Sequence, residues 1–174
     1  MELFKSLKSR LETYDDPFRH WAINQPFTDA AITEVCNAEI ANPISDGLEY
    51  DGTRAIDGGT GKYREGIKAG GKADKYRCFV TKKNSSKFPE LTKFINELCS
   101  KNVHQYISGL IKKDLSNAFV RLEVICDRKG FWLKPHCDIK EKILSSLIFI
   151  NPSNIESENL GTDLYDEKLN KVKT

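Results

Sequence analysis

His136 and Asp138 stand two residues apart in Lys134-Pro135-His136-Cys137-Asp138. On an extended chain both side chains point to one face, because strand side chains alternate with period two. One imidazole nitrogen and one carboxylate oxygen then reach a single divalent metal. That is two thirds of a 2-His-1-carboxylate facial triad, a ligand set that leaves positions open on a metal such as Fe(II). The missing third should be a histidine further along. The histidines are His20, His104 and His136, so none follows Asp138 in this sequence.

Other motifs are weaker. Gly58-Gly59-Thr60-Gly61-Lys62 resembles a phosphate loop, but Ile56 stands where the Walker pattern needs its first glycine and Tyr63 where it needs Ser or Thr. The dinucleotide fingerprint fails as well, since Arg64 holds the place of its last glycine. Cys36, Cys78, Cys99, Cys126 and Cys137 form no CxxC pair, which excludes zinc-ribbon and thioredoxin motifs and leaves free thiols in a reducing compartment.

The elements that must position the pair follow from periodicity. Leu3, Phe4, Leu7 and Leu11 predict an amphipathic helix over 2–13. Residues 18–23 are an extended or irregular apolar segment between Pro17 and Pro26, and Thr28 is an N-cap for a second helix through Ile32, Val35, Cys36 and Ile40. Eight of the eleven glycines fall within 47–71, a long loop that either borders a substrate site or is plain surface. A short strand follows at 76–81. Leu91, Phe94, Ile95, Leu98, Ile107, Leu110 and Ile111 then form an apolar helical stripe, broken near Asn102. Strands are expected at 119–126, 131–138, 143–150 and 161–166, with a polar break at Lys140-Glu141-Lys142, a turn over 166–170 and an extended end at 171–173. The stripe must bury against something, and the sheet is its expected partner.

Residues 119–166 resemble the 2-oxoglutarate- and Fe(II)-dependent dioxygenases, in particular the branch similar to prolyl 4-hydroxylases. Leu122-Glu123-Val124, Gly130, Lys134-Pro135-His136-Cys137-Asp138, Leu147-Ile148-Phe149-Ile150-Asn151 and Gly161-Thr162-Asp163-Leu164 carry the resemblance. It implies an α+β fold, with N-terminal helices packed on a partial double-stranded β-helix (jelly roll). Within one domain, 1–115 would be a helical and loop-rich support region and 118–173 the N-terminal half of the jelly roll. It implies Fe(II) held by His136 and Asp138, with 2-oxoglutarate as cosubstrate and O₂ driving hydroxylation of a substrate C–H bond. Arg121 and Glu123 share a strand face and either point into the cosubstrate pocket or lie on an exposed sheet face. Asp127 departs from the pattern, standing where such proteins often carry a cosubstrate-binding Tyr. The distal His and the Arg or Lys that grips 2-oxoglutarate would lie downstream of Gly161 and are absent, so the chain is expected to be truncated and inactive by itself. His20 and His104 are in the wrong order or element to replace the missing ligand.

Two alternatives stand beside the hydroxylase: a non-catalytic truncated fragment and a metal-binding cupin-like module. Specificity in such folds lives in variable loops, so the resemblance leaves the substrate open between peptidyl and small-molecule classes. A composition 39% hydrophobic and 30% charged suits a 174-residue globular domain, which buries roughly 70% of its unfolded surface. With 27 basic and 25 acidic residues interspersed, nucleic acid is not an expected partner. The N-terminus lacks a signal-peptide core, and no run reaches the ~20 apolar residues that span a bilayer, so a cytoplasmic location without a membrane partner is expected. An incomplete jelly roll would leave an open sheet edge, through which self-association is expected.

Overall fold

The computed structural model describes residues 2–38, 75–127, 137–150 and 161–173. They form a mixed α+β structure of helices and three two-stranded antiparallel sheets. The chain divides into two units: Met1–Asn37, Lys83–Val120 and Cys137–Thr174 make one, Ala38–Lys82 and Arg121–His136 the other. No described helix is long and apolar enough to cross a membrane.

The first unit begins with α1 (Glu2–Ser9), shorter than the periodicity predicts. Leu11, the last residue of the apparent stripe, instead opens β1 (Leu11–Tyr14), which pairs antiparallel with β2 (His20–Ile23). Tertiary pairing overrides a local helical pattern here. Leu3 and Leu7 of α1 meet Val103 in a buried cluster, and Phe4, Leu11, Ile23, Phe94, Leu98, Tyr106 and Ile107 pack around it. The apolar stripe of 91–111 thus finds its partner in α1 and the β1–β2 hairpin, whereas a sheet of 119–126 and 143–150 was the expected one.

That stripe is carried by two helices, α3 (Pro89–Leu98) and α4 (Lys101–Ile111), and the break falls at Cys99 and Ser100. Between β2 and α3 lies α2 (Asp29–Cys36), whose N-cap is Thr28 as predicted: its Oγ1 accepts from the Ala31 N–H at 3.2 Å. Carboxylates from neighbouring helices satisfy the starts of α3 and α1. Glu34 of α2 accepts from the Glu90 and Leu91 N–H groups at 2.8 and 2.9 Å, and Glu97 of α3 accepts from the Phe4 N–H at 3.0 Å. The first N–H groups of a helix have no intrahelical partner and carry its positive dipole end, so both contacts tie one helix to another. At the far end of α1, the Tyr106 hydroxyl donates to the Leu7 carbonyl at 3.0 Å.

In the second unit, β3 (Lys75–Phe79) pairs antiparallel with β4 (Glu123–Asp127), setting Phe79 opposite Glu123 and Cys78 opposite Val124. The strand expected at 119–126 therefore starts four residues later, although Leu122 still accepts from the Val80 N–H at 3.1 Å. The expected strand at 161–166 is confined to β5 (Leu164–Tyr165), which pairs with β6 (Lys171–Lys173) across the predicted 166–170 turn.

The larger correction concerns 143–150, which form no strand. Strand propensity records how well a side chain fits against a neighbouring strand rather than a backbone preference. No other described strand pairs with this apolar run. The 47–71 loop, its Gly58–Lys62 motif and most of the expected 131–138 strand lie outside the described residues, and Cys137 and Asp138 belong to no strand.

Candidate functional site

Asp138 stands just before a tight turn, in which the Lys142 N–H donates to the Ile139 carbonyl at 3.1 Å. The turn carries Lys142 back over Asp138. Its Nζ lies 3.1 Å from Asp138 Oδ1, and the Ser145 hydroxyl donates to Oδ2. Both charged side chains are mostly covered, 26% exposed for Asp138 and 27% for Lys142. Spacing alone does not signal this contact, because opposite charges at i,i+4 are neighbours on a helix and this segment is a turn; in the sequence the lysine reads only as part of a polar break.

This arrangement bears on metal binding. A divalent ion at Asp138 would share its carboxylate with an ammonium group. Two like unit charges ~4 Å apart repel by about 4 kcal/mol at an effective dielectric of 20, and a divalent ion by about twice that. Lys142 therefore competes with a divalent ion for this carboxylate. His136 lies outside the described residues. Among the described residues, no group of three His, Cys, Asp or Glu side chains could hold a metal. By themselves the described residues do not make an iron site.

The other two histidines serve local structure. His104 Nε2 lies 2.8 Å from the Leu115 carbonyl, tying α4 to the segment after it. His20 Nδ1 lies 2.8 Å from the Phe18 carbonyl, and its ring stacks on Tyr14 with centroids 5.1 Å apart.

Arg121 lies two residues before Glu123, the first residue of β4. The Arg121 guanidinium sits 5.2 Å from the centroid of the Phe79 ring, and Phe79 is directly opposite Glu123 in the ladder. Directly paired residues of an antiparallel ladder project to the same side, so Arg121, Phe79 and Glu123 gather on one face. A guanidinium there has the planar donor fork that suits a carboxylate ligand. Asp127 ends β4 opposite Lys75.

A groove of about 440 Å³ opens elsewhere in the first unit, among α1, α2 and α3. Leu3, Phe27, Ala31 and Phe94 supply apolar walls, and Lys93 and Glu97 part of its rim. None of the sequence-predicted site residues lines it. No family model, no curated protein and no solved structure matches this chain.

Proposed function

We propose that the chain carries the proximal part of an Fe(II)- and 2-oxoglutarate-dependent hydroxylase domain, to which it contributes His136 and Asp138 as metal ligands. Residues 118–173 would then be part of a double-stranded β-helix, and Arg121 and Glu123 would face the cosubstrate. The observation that carries the reading is the His136-Cys137-Asp138 spacing within Lys134–Asp138. The antiparallel β4 that precedes it, with Arg121 and Glu123 turned to one face, supports it. A second reading is a non-catalytic chain in which Lys142 takes the cation's place. The pairing of Asp138 with Lys142 and Ser145 favours that reading.

Anaerobic calorimetric titration with Fe(II) separates the two. The hydroxylase reading expects weak binding by the 174-residue chain, weakened further by His136→Ala and by Asp138→Ala and strengthened by Lys142→Met. Two ligands hold iron poorly, so succinate release from 2-oxoglutarate with Fe(II) and ascorbate should be slow. Fe(II) binding indifferent to both ligand substitutions sinks the hydroxylase reading. Fast turnover abolished by His136→Ala would mean that the third ligand is already among these residues.

A further inference from the structure

Residues 143–150 carry no charge, no proline and no glycine. Ile143, Leu144, Leu147 and Phe149 are exposed, Leu147 by 62% and Phe149 by 58%. The segment belongs to no helix or strand, and none of its backbone N–H or C=O groups bonds to another described backbone group. Apolar strand formers with no ladder among the described residues and no blocking charge invite another strand to pair with them. The order of the residues says which strand. Ile143-Leu144-Ser145-Ser146-Leu147-Ile148 reads the same in both directions.

We propose that 143–148 is a self-recognition strand, pairing antiparallel with the same segment of a second copy about a two-fold axis between Ser145 and Ser146. In that register Ile143 faces Ile148 of the second copy, Leu144 faces Leu147 and Ser145 faces Ser146, each pair occurring twice. Aliphatic and hydroxyl pairs directly opposite one another are the units that stabilise a sheet. A strand from an unrelated protein could satisfy the backbone, but only a second copy repeats the side-chain pattern at all six positions. The two-fold also makes the contact isologous, the same six residues meeting on both sides. Six residues a side fall well short of the ~800 Å² per partner of a standard interface, so the dimer is concentration-dependent. The pairing requires neither iron nor 2-oxoglutarate, and it concerns the 174-residue chain, in which no described strand pairs with 143–148.

The test is sedimentation velocity on the full 174-residue chain over a range of concentrations, with far-UV circular dichroism as a check on the fold. Ser145→Glu with Ser146→Glu, and Ser145→Lys with Ser146→Lys, set like charges opposite each other twice and should weaken association about tenfold or more. Ser145→Lys with Ser146→Glu sets opposite charges face to face and should associate about tenfold or more tightly than either like-charge variant. All three lose the Ser145 bond to Asp138, so that loss cancels in the comparison. A register one residue away would place Lys on Lys or Glu on Glu, and the mixed variant would then fail. A chain that stays monomeric at every concentration overturns the proposal, as does association that ignores the charge pattern.

Discussion

At Asp166 one carboxylate accepts from the side-chain amide and the backbone N–H of Asn170, and from the backbone N–H of Lys168. These donors, the Asn170 side chain foremost, hold its carboxyl below the ordinary aspartate range. A depressed carboxylate contributes stability that is present above the unfolded-state pKa and is lost as pH falls through the folded-state value. The β5–β6 turn should therefore loosen in acid. The Asp166 carboxyl carbon, followed by NMR through the acid range, should titrate below a mobile aspartate, and Asn170→Ala should move its midpoint upward. A midpoint at the ordinary aspartate value would contradict this account. Asp138 differs in kind, because an ammonium group and a hydroxyl hold it. At Asp166 the donors build a turn, whereas at Asp138 the ammonium group competes with any metal.

Between elements, the caps show what a sequence can and cannot reveal. Thr28 is legible as an N-cap because a hydroxyl three residues before the N–H it accepts is a local pattern. Glu34 is not legible as the cap of α3, since it reaches N–H groups 56 and 57 residues away. Phe88 holds the N-cap position of α3 and offers no side-chain acceptor, so Glu34→Ala leaves two helix-start donors without their carboxylate. A loss of about 1–2 kcal/mol is expected, read as a lower denaturant midpoint with unchanged slope. Glu34→Gln keeps one acceptor oxygen and should lose less. Equal midpoints for all three proteins would show that the cap contributes nothing. Strands divide in the same way. β3, β4 and β6 fall within a few residues of where alternation puts them, because each has a partner. The run 143–150 has strand composition but no described partner strand, and composition does not report whether a partner is present. The candidate site shares this dependence: His136 and Asp138 face one way only if their segment is extended, and spacing cannot enforce that.

Across the whole chain, the described residues bury few large apolar side chains completely. Leu91 and Val103 are the largest of them, and Leu3, Phe88, Val124 and Leu7 are nearly covered as well. The cluster of Leu3, Leu7 and Val103 joins elements from both ends of the first unit's first two segments, α1 near the N-terminus and α4 about a hundred residues later. Such a contact closes a long loop, and its entropic cost grows only slowly with loop length. The few buried side chains at the junction must offset that cost together. Leu7→Ala removes one of them where Phe4, Tyr106 and Ile107 already pack around the cluster, so little can collapse into the space. The expected cost is about 2–5 kcal/mol, a large share of the ~5–15 kcal/mol that holds a typical domain folded. Tyr106→Phe keeps the packing and loses only the hydroxyl's bond to the Leu7 carbonyl, for about 1 kcal/mol. Hydrogen exchange should register both as lost protection in α1, α3 and α4, far more for Leu7→Ala than for Tyr106→Phe. If the two substitutions cost the same, or neither changes exchange in those helices, this cluster is not what holds the first unit together.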